Sequence, residues 1–302
     1  MKNNNSKIVI LVLLVLFFLL INFLSGYIHY NLRLSEKFGD EIFHFYGGHL
    51  ILNGKKLYQE VQVNHQPIPH LLSAFVEKII PQTNLYTFIA RHREIIFVYS
   101  FIWNCINFIF FGKVALISMA LFESLKFYFQ GYKNLQETLV SYPLMFLIFD
   151  ILFLKFKKKD NDFRKIFFSI ALFFAVFSFL PTWFACCLLF FFRFISTKNN
   201  KKMLFLPFLS LTLLLGIFIP YKDYLIETIY NNLFFYIPDS AYGFNLIKIA
   251  TLPLGIFFPH YNKQKIIIGV IILLLFYQLF LLIKYSKNKK TAILLIFLLY
   301  LT

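Results

Sequence analysis

The sequence predicts an all-α, polytopic transmembrane protein. Composition, long apolar runs and the placement of charge each favour this class. Of the 302 residues, 59% are hydrophobic and 15% are charged, whereas a typical soluble domain has about 25% charged residues. Phenylalanine alone occurs 43 times. A water-soluble fold of this length has too little interior for so many large apolar side chains, so lipid must cover them.

The apolar runs predict eight complete spans, because a helix needs about 20 residues to cross the hydrocarbon core. Pro181 divides a stretch that is too long for one crossing, and Pro readily starts a helix, so a hairpin of two spans is expected there. Residues 291–302 are apolar but too few to cross, so we expect the chain to be truncated inside a ninth span. The predicted spans cover about 8–28, 95–112, 114–130, 138–154, 166–180, 182–197, 203–220 and 265–284.

The distribution of the basic residues that give the net charge of +16 indicates the orientation of the chain in a membrane rather than nucleic-acid binding. Lys and Arg concentrate in short segments between the apolar runs, and cytoplasmic segments of membrane proteins carry such an excess. The pattern predicts a multi-pass protein of the cell membrane with a cytoplasmic N-terminus, attracted to anionic lipid. The segments predicted to be cytoplasmic are 1–7, Lys113, 155–165, 193–202 and 284–290.

We expect a single transmembrane domain over residues 1–302, with two large outside loops at 29–93 and 221–264. In the first loop, apolar residues recur at helical spacing from Asp40 to Leu52, and a second helical pattern opens with Pro67. These patterns predict two short helices in the membrane interface. The second loop combines aromatic and amide residues, which suit either sugar binding or an interfacial aromatic belt.

Asp40 and Glu41 stand at the predicted start of the first interfacial helix. A carboxylate there can cap the helix and favours its positive end. A carboxylate at the lipid–water boundary can also act as a base towards a bound hydroxyl. The acidic pair alone leaves both interpretations open.

The residues around this pair resemble the GT-C superfamily of glycosyltransferases that use lipid-linked sugars. The similarity is greatest to the bacterial protein O-mannosyltransferase and aminoarabinose-transferase group, which is glycosyltransferase family 39-like. It covers the motif within residues 36–93 and the general architecture of the remaining chain. The matching residues are Asp40, Glu41, Tyr46, Gly54, Tyr58, Asn64, Gln66 and Pro67.

The resemblance implies an inverting transfer of sugar from a polyprenyl-phosphate-linked donor to a hydroxyl acceptor on the outer face of the membrane. Asp40 would be the base and Glu41 the second acid, which assists binding or metal contact. A carboxylate opposite the leaving group supplies both base and charge to an oxocarbenium-like transition state. The acceptor would be a protein, a lipid or a cell-envelope glycan.

The resemblance also suggests substrate contacts from Tyr46, Tyr58, Asn64, Gln66 and the neighbouring His65, which would contact sugar or phosphate. Two further candidates, Arg91 and Arg93, precede the second span at headgroup depth. Arg suits phosphate through its bidentate donors. The alternative role for both is that of interfacial anchors at the end of a span.

A divalent cation, Mg or Mn, is a possible cofactor. His44 shares a helical face with Asp40 and Glu41, which would suit a zinc or manganese site; the alternative is a set of hydrogen-bonding interfacial histidines. The competing functions are a lipid-linked glycan polymerase, a transporter or flippase of lipid-linked glycans, and a structural membrane protein.

Overall fold

A computed structural model describes residues 2–34, 39–61, 63, 65–81, 84–157 and 162–195. The spans predicted at 203–220 and 265–284, the loop at 221–264 and the partial span at 291–302 lie outside the described residues. The described part is helical and contains no β-strand. Its helices are α1 (Lys2–Leu32), α2 (Glu41–Leu52), α3 (Pro67–Ile79), α4 (Leu85–Phe111), α5 (Lys113–Leu125), α6 (Gln136–Lys157), α7 (Asp162–Ser178) and α8 (Trp183–Ile195).

Three of the described helices are long and apolar enough to cross a membrane, over Ile8–Leu32, Leu85–Phe111 and Gln136–Leu154. They overlap the spans predicted first, second and fourth. The chain is therefore a membrane-embedded helical protein. Helix α4 begins at Leu85, ten residues before the predicted span, so Arg91 and Arg93 lie within this helix and not before it.

Helix α5 differs from the span predicted at 114–130. It has 13 residues and ends at Leu125, so it is about 20 Å long at 1.5 Å per residue, short of the roughly 30 Å hydrocarbon core. The chain then turns back on itself: the Gly131 N–H donates to the Lys126 carbonyl at 2.7 Å, and Gln130 has a positive φ of 58°. Lys126 faces inwards and pairs with Glu123 at 2.6 Å.

A helix break lies at Pro181, as predicted, but α7 with 17 residues and α8 with 13 are not among the described helices that are long enough to cross a membrane. Helix α7 ends at Ser178, a 3-10 turn covers Leu180–Thr182, and α8 begins at Trp183. Side chains satisfy carbonyls that the end of α7 leaves without helical partners. The Thr182 hydroxyl donates to the Phe179 carbonyl at 2.7 Å, and the Trp183 indole N–H donates to the Val176 carbonyl at 2.7 Å.

Buried polar contacts tie the membrane helices together. Glu123 of α5 accepts hydrogen bonds from Ser25 of α1, from Asn104 of α4 at 2.8 Å and from Tyr142 of α6 at 3.0 Å. With the Lys126 pair, the Glu123 carboxylate has a partner from each neighbouring helix. Charges removed from water are tolerated when they are paired and hydrogen-bonded in this way.

A second buried charge group joins α6, α7 and α8. Asp150 pairs with Arg164 and with Arg193 at 2.5 Å, and all three side chains are almost completely buried. These ion pairs hold the three helices in contact, and the sequence alone did not predict that contact.

Helices α2 and α3 form a close-packed hairpin, the α2–α3 hairpin, at the positions predicted for the two interfacial helices. Two glycines allow the approach. A Cβ built on Gly47 would lie 2.3 Å from His70 Nδ1, and one built on Gly48 would lie 2.7 Å from the Ala74 backbone nitrogen. No side chain larger than hydrogen fits at this contact unless the helices move apart.

Helix α2 exposes three large apolar side chains, although Phe45 packs inwards. Ile42, Phe43 and Tyr46 are all more than half exposed, whereas Glu41 and His44 are buried. An outer face with three large apolar side chains above buried polar ones is unusual for a helix on a water-soluble protein. The outer face of α2 therefore suits the apolar side of a membrane boundary.

The connection between α2 and α3 is anchored on α7. Leu57, Tyr58 and Val61 are buried in one apolar cluster with Phe173 and Phe177. The packing holds Tyr58 in a left-handed backbone conformation, with φ 71°. The connection thereby fixes where α3 begins.

Candidate functional site

Asp40 lies at the N-cap position of α2, but its side chain makes no capping hydrogen bond. The residue is exposed. The purely structural interpretation, in which the carboxylate caps the helix, is therefore not realised in this conformation. The carboxylate is left facing solvent at the helix end, where the helix dipole favours negative charge.

Glu41 has the opposite environment. Its carboxylate is completely buried and forms a bidentate pair with Arg93 of α4, with Nη2–Oε2 at 2.6 Å and Nε–Oε1 at 3.2 Å. It also accepts the backbone N–H of Asn134 at 2.8 Å. The side chain predicted as a second catalytic acid is thus enclosed by protein, and it fixes the start of α2 beside Asp40.

The two arginines predicted to hold phosphate differ in the same way. Arg93 is buried, binds Glu41 and donates to the Arg33 carbonyl at 2.8 Å, so it is neither a surface anchor nor open to phosphate. The Arg91 side chain is about half exposed and pairs with Glu94 at 2.5 Å. An exposed pair of this kind is weak, so Arg91 is the arginine that an anionic ligand can reach.

Three histidines come together behind Asp40. The ring centroid of His44 lies 5.0 Å from that of His65 and 5.3 Å from that of His70, and the His65 and His70 centroids are 6.3 Å apart. The Nδ1 atom of His44 is 2.7 Å from the Asn134 carbonyl, so Nδ1 carries the proton and donates it to that oxygen. Nε2 of the same ring then presents a lone pair.

Burial keeps these imidazoles neutral, because it disfavours the charged form. It lowers the pKa of His44 to about 3 and the pKa of His70 well below its usual value. Burial also lowers the pKa of His65, and the negative charge of Asp40 opposes that shift. Asp40 is therefore within electrostatic reach of His65, and it also interacts with Glu137 at the start of α6.

Of the remaining candidate residues that the structure describes, two are buried and one is exposed. Tyr58 is buried, and its hydroxyl donates to the His65 carbonyl at 2.8 Å, so it positions that histidine. Gln66 is buried at the N-cap of α3, without a capping bond from its side chain. Tyr46 is exposed on the outer face of α2, and Asn64 lies outside the described residues.

His70 is the site residue that the sequence did not single out. It lies in the first turns of α3, and only the glycine contact with α2 brings it to His44. His44 is placed with His65 and His70, while its neighbour Glu41 turns to Arg93. Within the described ranges, no group of three His, Cys, Asp or Glu side chains is arranged to hold a metal ion.

Comparison of the chain with protein-family models, with curated proteins and with solved structures finds no match. Fold and site together define the class of protein as a membrane-embedded helical protein. Its α2–α3 hairpin presents one exposed carboxylate beside a cluster of neutral histidines.

Proposed function

We propose that this protein is a membrane glycosyltransferase. It moves a sugar from a polyprenyl-phosphate-linked donor to a hydroxyl acceptor, with inversion at the anomeric carbon and with Asp40 as the base. The observation that carries the proposal is the exposed Asp40 carboxylate, which makes no capping bond and lies next to the buried Glu41–Arg93 pair. A rigidly held, accessible carboxylate is what general-base catalysis requires.

In this reaction the acceptor hydroxyl gives its proton to the Asp40 carboxylate while its oxygen attacks the anomeric carbon. The bond from that carbon to the phosphate oxygen breaks, and its electron pair leaves with the polyprenyl phosphate. The negative charge of Asp40 also stabilises the oxocarbenium character that develops at the attacked carbon.

The leaving phosphate needs a cation, and the contacts of the two arginines favour Arg91. Both faces of the Arg93 fork are occupied by Glu41 and the Arg33 carbonyl. Arg91 would exchange its surface contact with Glu94 for the phosphate, which is a stronger, bidentate partner.

The placement of the hairpin supports a lipid-linked donor. The α2–α3 hairpin lies between the first two candidate spans, and α2 exposes Ile42, Phe43 and Tyr46. A donor whose prenyl chain stays in the bilayer would then present its sugar at the level of Asp40. With the N-terminus cytoplasmic, this is the outer face of the membrane.

The test is transfer of radiolabelled sugar from polyprenyl-phosphate-linked donors in membranes that carry the wild type or Asp40→Asn. We expect Asp40→Asn to abolish transfer at normal membrane levels, because the amide cannot take the proton. Asp162→Asn is the matched control: Asp162 is also an exposed aspartate in the first turn of a helix, and its loss should leave transfer unchanged. Full activity of Asp40→Asn would remove Asp40 as the base.

The second candidate is a transporter or flippase of lipid-linked glycans, and the buried charges of the membrane helices are what favours it. Glu123 and Lys126 lie among α1, α4, α5 and α6, but they are bonded to each other and to neighbouring polar groups. That arrangement suits a fixed framework better than a path for substrate. Transport without any sugar transfer by the wild type would reverse this preference.

A further inference from the structure

The histidine cluster of His44, His65 and His70 contains ring nitrogens whose hydrogen-bonding capacity is unused. Among the described residues, nothing hydrogen-bonds to Nε2 of His44 or to Nδ1 of His65, and both atoms are buried. The equally buried His70 ring interacts with the His44 backbone through one nitrogen, which leaves its other nitrogen without a partner. Buried polar atoms are normally paired, because leaving them unpaired costs their hydration free energy. Three such rings in contact indicate a place where a polar ligand completes the bonding.

The chemistry of the cluster restricts the ligand. The N–H of His44 is used on the Asn134 carbonyl and that of His70 on the His44 backbone, so the nitrogens left on these two rings are acceptors and need a partner that donates, as a hydroxyl does. Phosphate only accepts, and it would meet the lone pairs of the rings and the charge of Asp40. A metal ion is disfavoured, because the side chains in the described part of the chain do not converge on one.

The edge of the cluster suits a sugar ring. His65 is only partly buried, so it forms the accessible side of the cluster, while His44 and His70 lie completely buried behind it. The exposed ring of Phe43 packs edge-on against His65, with centroids 5.9 Å apart. A sugar has hydroxyls around its edge and an apolar C–H face, which these imidazoles and this aromatic ring complement.

We propose that Asp40, His65 and the buried His44 and His70 behind it form a binding site for the hydroxyls of a sugar. The inference rests on the proposed function and specifies where the transferred sugar is held. It places the sugar hydroxyls on the histidine side of Asp40 and leaves the phosphate to the Arg91 side. His65 is the direct contact, and His44 and His70 orient the ligand through its inner hydroxyls.

Diethylpyrocarbonate, which acylates neutral imidazole, gives a direct test on the full-length protein in nanodiscs at pH 7. The acylation rate of His65 is measured by mass spectrometry with decaprenyl-phosphoryl-mannose, decaprenyl phosphate or methyl mannoside present. His49 is the internal control, since it lies on α2 with His44 but faces solvent and bonds to Glu77 at 2.6 Å.

We expect decaprenyl-phosphoryl-mannose to slow acylation of His65 about tenfold at about ten times its Kd, because protection scales with occupancy. Decaprenyl phosphate should leave the rate unchanged, and His49 should react equally in every sample. Protection by methyl mannoside as well would support the sugar ring alone as the ligand, whereas protection by the mannosyl lipid only would support the donor sugar.

Two outcomes would overturn the inference. Equal protection by decaprenyl phosphate would assign the cluster to the phosphate or the lipid, and no protection by either mannose compound would leave it as packing. Sugar transfer without protection of His65 would refute this site and leave the proposed function standing. Protection of His65 without any sugar transfer would support the binding site and refute the proposed function.

Discussion

The buried pair of Glu41 and Arg93 carries the strongest prediction, because it fixes the helix end that holds Asp40. Glu41→Gln preserves the size of the side chain but removes its charge. The Arg93 cation is then left completely buried without a counter-charge. Removing one partner of such a pair costs about 3–5 kcal/mol, which changes the unfolding equilibrium by a factor of roughly 10² to 4 × 10³.

The free energy of unfolding is measured on the detergent-purified, full-length protein by titration with SDS. Arg91→Gln is the matched control, because it breaks an exposed pair with Glu94 that is worth about 0–1 kcal/mol. Replacing both Glu41 and Arg93 with Leu should recover most of the loss, since an apolar pair of similar volume is often neutral relative to a buried ion pair.

Glu41→Gln should also slow sugar transfer, because the start of α2 loosens together with Asp40. A Glu41→Gln protein as stable as Arg91→Gln would refute the reasoning. So would a double Leu variant that is less stable than Glu41→Gln.

Two further predictions concern the same hairpin. Gly48→Ala should destabilise the protein by about 1–3 kcal/mol in the same SDS titration, because the new methyl group would lie 2.7 Å from the Ala74 backbone nitrogen. Ala otherwise favours a helix over Gly by about 1 kcal/mol, so a stabilised Gly48→Ala protein would contradict the close packing. Gly39→Ala is the control, because a Cβ at that position meets nothing within 4 Å. Stability should also fall as pH drops below about 6.5, by up to 1.4 kcal/mol per pH unit for each buried imidazole, because the unfolded chain takes up protons there while folded His44 has a pKa of about 3. His44→Gln should flatten that pH dependence, and an unchanged slope would show that His44 is not buried as a neutral ring.

Local features of the chain determined most of the elements. The helical spacing from Asp40 to Leu52, Pro67 at the start of the second helix and Pro181 between two apolar runs act within a few residues of themselves. The structure has α2, α3 and the turn between α7 and α8 at those places. The long apolar runs likewise placed the three helices that are able to cross a membrane.

Long-range contacts decided what the candidate residues do. Asp40 and Glu41 are adjacent and chemically alike, yet one is exposed and the other buried, because the partner of Glu41 is an arginine more than fifty positions further along the chain. The same holds for the early end of α5, where Lys126 turns to Glu123 within a network that includes Ser25, Asn104 and Tyr142.

The sequence alone therefore determined a helical, membrane-embedded protein with a polar hairpin after its first span, because hydrophobicity and helix boundaries are local properties. It did not determine which carboxylate faces solvent, which arginine remains accessible or that His70 joins His44 and His65. Those depend on how closely α2 and α3 approach at Gly47 and Gly48, and only tertiary packing sets that distance.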